Sequence, residues 1–173
     1  MIHVHTQRLE LRPMEDADRD RVVEILGDEM VKKTYMVPDI TSREMGDKLF
    51  QRLKECCTAE GRYGAGAYFQ GKLIGFLHDV EISGGTVEMG YAFHPHWHGR
   101  GFATEAFGAA MDALFAQGVE QVLAGAFDSN SASIRVMEKC GMARLDREED
   151  IEYRGEVHRC VYYGKSQRDA SSL

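Results

Sequence analysis

Two spacings of apolar side chains alternate along the chain, and each spacing predicts a different element. Strict alternation of polar and apolar residues, or a short apolar run between turn residues, predicts strands. Such strands are predicted at residues 8–12, 63–69, 72–82, 86–93, 121–127, 143–153 and 156–163. Turn residues at 70–71, 83–85 and 154–155 separate neighbouring strands, and the first of these predicts a tight hairpin.

Apolar residues at intervals of three and four predict helices between the strands. The first predicted helix covers residues 15–26 and is expected to end in a glycine C-cap at Gly27. The second is expected to begin at a capping box made by Thr41 and Glu44. Its apolar face carries Met45, Leu49, Leu53 and Cys56.

Two more helices are predicted in the second half of the chain. The longer one carries six regularly spaced apolar residues, Ala103, Ala106, Phe107, Ala110, Met111 and Leu114. It is expected to end at Gly118. The shorter one is expected to be capped by residues 128–130 and to stop at Gly141. The order β-α-α-β-β-β-α-β-α-β-β, with three hairpin-linked strands in its middle, predicts an α/β protein with a mixed sheet.

The chain of 173 residues is expected to form one domain, residues 1–165, followed by a polar tail at 166–173. A net charge of −7 argues against nucleic-acid binding, which needs a basic face. No apolar run approaches the ~18–20 residues that span a bilayer, and no signal peptide is apparent, so a cytoplasmic protein is expected. The four cysteines show no metal-binding spacing and are expected to be free thiols.

A glycine-rich segment, Trp97-His98-Gly99-Arg100-Gly101-Phe102-Ala103, lies between a predicted strand and the longest helix. Its two glycines let backbone amides approach a ligand, and the helix behind them offers unpaired N–H groups. Arg100 can add a positive charge. The pattern is neither a Walker loop nor a dinucleotide-binding fingerprint. It predicts a phosphate cradle of another kind, although a glycine-rich connection without a ligand is the plainer alternative.

This segment resembles the pyrophosphate-binding loop of the GNAT superfamily of N-acetyltransferases, with His98 where glutamine or arginine is usual. Four other parts of the chain resemble the RimJ/RimL-like branch, and they lie at residues 6–13, 88–91, 101–106 and 130–142. The resemblance implies a mostly antiparallel sheet of about seven strands with helices on both faces. It also implies that the parallel central strands 86–93 and 121–127 splay apart around acetyl-CoA. The co-substrate would contact Ala92, Phe93, His98, Gly99, Arg100, Gly101, Phe102, Ala103 and Asn130.

Glu88 is the candidate general base. Glu88, Gly90 and Ala92 share one face of their strand, where a ligand could lie against the two small residues with the carboxylate at its end. A buried carboxylate can take the proton that an amine must lose. The alternative is that the small residues only admit a helix and that Glu88 is exposed. A backbone N–H near Phe93 could stabilise the oxyanion.

The general acid is harder to assign. Many relatives supply it from a tyrosine at the position that Met137 occupies here. The resemblance implies Ser133 instead, although a helix serine bonded to its own backbone is an equal alternative. Tyr162 and Tyr163 are further candidates. Asn130 can orient the co-substrate and also serve as a plain N-cap.

The sequence therefore predicts an acetyl-CoA-dependent N-acetyltransferase that acts on a primary amine, either a protein N-terminus or a small molecule. Acceptor specificity is expected in residues 28–54 and 148–158. The alternative from another class is a non-catalytic acyl-CoA-binding sensor or scaffold. His94, His96 and His98 recur at every second residue, but no acidic ligand adjoins them, so no metal is expected. A homodimer is expected only by analogy.

Overall fold

The structure, a computed structural model, describes residues 1–170, with side chains to residue 168. Within this range the strands are β1 (Val4–His5), β2 (Leu9–Arg12), β3 (Gly64–Phe69), β4 (Lys72–Ser83), β5 (Thr86–Phe93), β6 (Gln121–Phe127), β7 (Ala143–Tyr153) and β8 (Glu156–Ser166). The helices are α1 (Arg19–Gly27), α2 (Glu29–Lys32), α3 (Arg43–Thr58), α4 (Phe102–Ala116), α5 (Ser131–Lys139) and α6 (Gln167–Ala170). Short turns of 3-10 helix precede α1 and α4.

The eight strands of the described chain form one sheet in the order β1-β2-β3-β4-β5-β6-β8-β7. Every neighbouring pair is antiparallel except β5 and β6, which are parallel. The hairpin predicted between β3 and β4 is present, with positive φ angles of 50° at Gln70 and 77° at Gly71. Such angles at both central residues match the twist of the flanking strands. The mixed, mostly antiparallel sheet is therefore confirmed.

Helices pack on both faces of the sheet, as predicted. On one face α4 contacts β1, β2, β5 and β6, and fully buried side chains such as Phe107 and Leu114 fill the layer between them. On the other face α1 and α3 cover β3 and β4, with Ile25, Phe50 and Phe76 at the centre. Each such side chain contributes roughly 1.5–3 kcal/mol on leaving water. These two layers hold the sheet rigid on either side of its centre.

The parallel pair at the centre of the sheet is short. Only Thr86, Val87 and Glu88 pair with β6, opposite residues 121–123, although β5 continues to Phe93. Beyond Glu88 the two strands separate, while β6 stays paired with β8 along its whole length. The predicted splay is therefore present, and it opens a gap in the sheet immediately after Glu88.

Two predicted helix boundaries are wrong. Gly27 is the last residue of α1 rather than a left-handed cap, because Asp28 follows in an extended conformation and its side chain accepts hydrogen bonds from the first amides of α2. Helix α2 was not predicted from the sequence. At the start of α3 the cap is Ser42, which accepts from the Met45 amide at 3.1 Å, so the box predicted from Thr41 and Glu44 does not form.

The end of the chain is ordered further than the predicted tail boundary. Strand β8 continues to Ser166, which pairs with Gln121, and α6 follows. The rest of the predicted tail, residues 171–173, lies outside the described residues. No helix within the described range is both long and apolar enough to cross a membrane.

Candidate active site

A cavity of about 700 Å³ runs through the gap in the sheet. We call its two ends the cradle end and the α3 end. The cradle end is lined by Ala92, Phe93, Trp97, His98, Gly99, Gly101, Ala103, Thr104, Asn130 and Ser133. The α3 end is lined by Leu26, Val31, Tyr35, Val37, Leu49, Arg52, Leu53 and His78. Glu88, Gly90 and Gly125 lie between them on the separating strands. One cavity therefore joins most of the residues that the sequence assigned to the site.

The glycine-rich segment forms a backbone cradle at the start of α4. Gly99 and Gly101 have φ angles of 71° and 79°, a conformation that residues with a side chain seldom adopt. Gly101 is the N-cap of the fifteen-residue helix, and among the described residues no side chain caps it. The first-turn amides and the positive end of the helix dipole are therefore free to meet an anion. This geometry fits a pyrophosphate group.

Arg8 and Glu105 hold the cradle in place from the far side. The Arg8 guanidinium donates to the Arg100 carbonyl oxygen at 2.9 Å and pairs with the Glu105 carboxylate at 2.6 Å. Thr6 Oγ1 also donates to Glu105, at 2.6 Å. Burial opposes ionisation of Glu105, but the hydrogen bonds from Thr6 and Arg8 leave its pKa below the usual range. Glu105 therefore anchors the N-terminal strands to α4, a role that sequence analysis did not identify.

Arg100 lies flat against the aromatic side chains of the cradle. Its guanidinium carbon is 4.8 Å from the centre of the Trp97 ring and 5.2 Å from that of Phe102. This position restrains a cation beside the glycines while leaving its charge exposed.

His98 faces the end of β5. Its Nε2 lies 2.7 Å from the Phe93 carbonyl oxygen. Because a carbonyl only accepts, Nε2 must carry the hydrogen. His98 therefore fixes the position of Phe93, which is a different use of the side chain from the ligand contact expected from the resemblance. The neighbouring His94 amide donates to the Ile74 carbonyl oxygen and so is not available as an oxyanion donor.

The three histidines of this segment do not converge. His94 contacts Glu24 at 3.3 Å, His96 packs against Trp97, and His98 bonds the end of β5. Within the described residues, the possible metal-ligand atoms of His3, His5 and Glu10 lie within 4.8 Å of one another. These three residues lie on or beside the first two strands.

Glu88 lies where the parallel strands begin to separate, with 14% of its side chain exposed. Burial raises the pKa of its carboxyl group, the positive charge of Arg147 opposes that rise, and Glu81 and Glu149 add to it. Arg147 Nη1 is 3.6 Å from Glu88 Oε2. Of the two alternatives for Glu88, full exposure is wrong. A half-buried carboxylate with a raised pKa can accept a proton at a cavity wall.

The small residues beside Glu88 admit a side chain of β4. A Cβ atom on Gly90 would come within 3.1 Å of His78 Nε2. His78 Nδ1 lies 3.0 Å from the Asp79 carbonyl oxygen, so Nδ1 carries the hydrogen and Nε2 accepts from the Tyr35 hydroxyl at 2.6 Å. Burial lowers the pKa of His78 and keeps it neutral. This pair was not predicted from the sequence, because Tyr35 lies in an irregular segment.

Ser133 and Tyr91 form a hydroxyl pair across the cradle end. Their oxygens are 2.6 Å apart, and burial raises the pKa of Tyr91 to about 12. Asn130 Oδ1 accepts from the Ser133 amide at 3.1 Å, which caps α5 as the sequence predicted. The Ser133 hydroxyl therefore meets Tyr91 rather than its own backbone. Met137 is fully buried in the core.

The two fallback tyrosines differ in position. Tyr162 lines the cavity and donates to Glu149 at 3.1 Å, whereas Tyr163 donates to Glu138 at 3.4 Å beneath α5. Tyr91 was not among the candidates, because alternation along β5 placed it with the apolar face.

Residues 8–143 match the acetyltransferase (GNAT) domain family. This chain belongs to that family. The Bacillus subtilis protein YnaD, described as an uncharacterized N-acetyltransferase, is 30% identical over 145 residues, which cover 83% of this chain and 84% of YnaD. The GNAT chain is therefore an acyltransferase, and acetyl-CoA is its co-substrate, as its sequence predicted.

Solved GNAT structures share the whole fold. An acetyltransferase from Bacillus anthracis superimposes with a TM-score of 0.82 at 24% identity, over 96% of this chain and 99% of that one. RimL, an alpha-N-protein acetyltransferase of ribosomal L7/L12 solved with coenzyme A, gives 0.79 at 17% identity over 96% and 98%. Spermidine N-acetyltransferase from Vibrio cholerae, solved with CoA and spermine, gives 0.82 at 17% identity over 96% and 100%. Each of these likenesses shows the fold.

Proposed function

We propose that this GNAT chain transfers an acetyl group from acetyl-CoA to a primary amine by direct attack. The observation that carries the proposal is the cavity that joins the glycine cradle to the half-buried Glu88 through the gap between β5 and β6. Acetyl-CoA supplies an activated acetyl group. The side chains of the cavity bind it, orient it and move the protons.

The cradle end would hold the co-substrate. Backbone amides at Gly99 and Gly101 and the start of α4, including Phe102 and Ala103, bind the pyrophosphate, and Arg100 adds its charge. Ala92 and Phe93 form the wall along which the rest of the co-substrate would lie, with His98 holding that wall in position. Asn130 marks the opposite wall at the start of α5.

Glu88 would accept the proton that the acceptor amine loses as it attacks. Its raised pKa brings the carboxylate closer in basicity to an amine, which makes proton transfer more favourable than to an exposed glutamate. The positive charge of Arg147 limits the rise in the pKa of Glu88 and so favours the ionised form that can accept a proton.

Ser133 would give a proton to the CoA thiolate as the C–S bond breaks, and that protonation yields the free thiol. Ser133 faces the cavity and bonds the Tyr91 hydroxyl, which stays protonated because burial raises its pKa. The pair can therefore replace the tyrosine that is missing at Met137.

The acceptor is a peptide N-terminus or a small amine, bound at the α3 end between residues 28–54 and the β7–β8 hairpin. Ile151 of that hairpin lines the cavity, and the Tyr153 hydroxyl donates to the Lys32 carbonyl oxygen at 2.8 Å. We place the enzyme in the cytoplasm, where free thiols such as its four cysteines persist. A homodimer stays a prediction.

The test is thiol release from acetyl-CoA with a panel of amines, using Glu88→Gln. We expect kcat to fall about a hundredfold or more, with unchanged affinity for acetyl-CoA by calorimetry. Glu60→Gln is the matched control, because it removes the same charge from an exposed residue that does not line the cavity. Acceptor-independent binding of acetyl-CoA without transfer would instead support a non-catalytic sensor. Full turnover in Glu88→Gln would remove Glu88 from the mechanism.

A further inference from the structure

The cavity-facing side of α3 contains one charged residue. Leu49, Arg52, Leu53 and Cys56 line the cavity from this helix, at the spacing of a single helical face. The other three are apolar or weakly polar and pack toward the core. Arg52 is exposed at the α3 end, where the cavity meets solvent. A cation thus stands at the end of an otherwise apolar strip.

Arg52 differs from the arginines of the neighbouring helix. Arg19 pairs with Asp20 and Asp47, and Arg21 pairs with Glu24. Among the residues that the structure describes, the Arg52 guanidinium has no hydrogen bond and no acidic partner. In a protein with a net charge of −7, an unpaired cation that faces a cavity is available to a ligand.

The acidic residues that line the same cavity do not form ion pairs with Arg52. Asp79 is nearly buried and accepts from Arg62 Nε at 2.6 Å and from the Tyr63 amide at 3.0 Å. Glu88 is faced by Arg147. Among the described residues that line the cavity, Glu88 is therefore the acid left for a polycationic acceptor, which would also meet Arg52 as a like charge.

The groups between Arg52 and Glu88 suit an amine with a short apolar body. The Tyr35 hydroxyl donates to His78, so its oxygen presents only lone pairs to the cavity and can accept from an amine N–H. Arg52, Tyr35 and His78 line the same end of the cavity. Val31, Leu49 and Leu53 supply an apolar wall.

We propose that the acceptor is a primary amine that carries an anionic group, a carboxylate or a phosphate, and that Arg52 binds this group. The amine end faces Glu88 and the Tyr35 oxygen, and the apolar part lies against α3. The inference rests on the proposed function and names its substrate class. It favours small amino acids or amino phosphates over polyamines and peptide N-termini.

The test uses acceptors in pairs that share a carbon skeleton and differ in whether they carry an anion. Leucine is compared with leucinamide and leucinol, and 2-aminoethyl phosphate with ethanolamine; spermidine and an alanine-initiated peptide complete the panel. We expect kcat/KM for the anionic member of at least one pair to exceed that of its neutral partner by about tenfold or more. The two arms distinguish a carboxylate from a phosphate.

Arg52→Gln should then raise KM for the preferred anionic acceptor by about ten- to a hundredfold, as expected for loss of a charge-assisted hydrogen bond. It should leave the neutral partner unchanged, and Arg52→Lys should recover part of the loss. Lys48→Gln is the matched control, because Lys48 lies on the outer face of α3 and pairs with Glu44. Lys48→Gln should change the KM for neither acceptor.

Preference for the neutral members, for the peptide or for spermidine would overturn the inference while the proposed function stands. An equal loss for charged and neutral acceptors in Arg52→Gln would also overturn it. Transfer to other amines of the panel, but to neither anionic acceptor, would count against the inference alone. Failure of acetyl-CoA to bind the folded protein would instead refute the proposed function.

Discussion

Arg147 controls the pH at which Glu88 can act as a base. The two side chains face each other at 3.6 Å, and Arg147 is held there by the Tyr162 ring, 3.8 Å from its guanidinium carbon, and by Glu149. Replacing Arg147 with glutamine removes the positive charge that lowers the pKa of Glu88. Burial and the neighbouring carboxylates then act without opposition. The pKa of Glu88 rises, so its ionised form appears only at higher pH.

The size of the effect follows from distance and exposure. Two unit charges 3.6 Å apart interact by about 5 kcal/mol at an effective dielectric constant of about 20. Arg147 is 39% exposed, however, and solvent screening reduces exposed pairs to about 0.2–1 kcal/mol. At about 1.4 kcal/mol for each pKa unit, the midpoint should move upward by about half a pH unit and by less than about one.

The assay is the pH dependence of kcat/KM for one acceptor with the wild type, Arg147→Gln and Arg147→Lys. The titration of the acceptor amine is the same with all three enzymes. A difference between them in the acidic limb of the pH profile therefore reflects a titrating group of the enzyme. The lysine variant keeps the charge and should stay near the wild type. An unchanged or lowered midpoint in Arg147→Gln would refute the electrostatic coupling of these two groups.

Three further predictions concern the cradle, the hydroxyl pair and the core. Gly101→Val should weaken acetyl-CoA binding at least about tenfold by calorimetry, because φ is 79° at this position. Gly61→Val is the control with the same backbone strain, since Gly61 has a φ of 70° in an open turn. Equal binding of acetyl-CoA by both variants would argue against the cradle. Ser133→Ala should lower kcat about tenfold or more, and Tyr91→Phe should lower kcat less. The KM for acetyl-CoA should be unchanged in both variants. An unaltered kcat in Ser133→Ala would exclude Ser133 as the proton donor. Phe107→Ala should reduce the free energy of unfolding in urea by about 3–5 kcal/mol, because its ring is fully buried; a loss below about 1 kcal/mol would mean that the core refills the space.

The sequence predicted the sheet well because its signals are local. The bounds of β5, β6 and β7 were predicted correctly, since their alternation and flanking turn residues operate within a few positions. Strand β1, with two residues, has too short a pattern to recognise and exists because it pairs with β2. The predicted helix boundary at Gly27 is wrong because α2 begins directly after Asp28. A glycine alone does not indicate whether another helix follows it.

The site was predicted in part, and the missed residues share a physical reason. Glu88 and the glycine cradle carry local signals that one sequence can show. Tyr91 acts through Ser133, forty-two residues away, and His78 through Tyr35, so neither contact has a signature along the chain. Arg52 was hidden for a similar reason, because the role of a charge on an apolar helix face depends on the groups that lie opposite it.

The three-residue pairing of β5 with β6 has a consequence for the lifetime of the protein in a cell. Beyond Glu88 each strand keeps a hydrogen-bonded neighbour on one side only, so the middle of the sheet contains two half-paired edges. A ligand that lies along both edges stabilises the native state in proportion to its supply, by about 2.7 kcal/mol at a hundredfold excess over its Kd. The rate at which proteases degrade this enzyme should therefore fall as acetyl-CoA accumulates, which would link the abundance of the enzyme to the metabolic state of the cell.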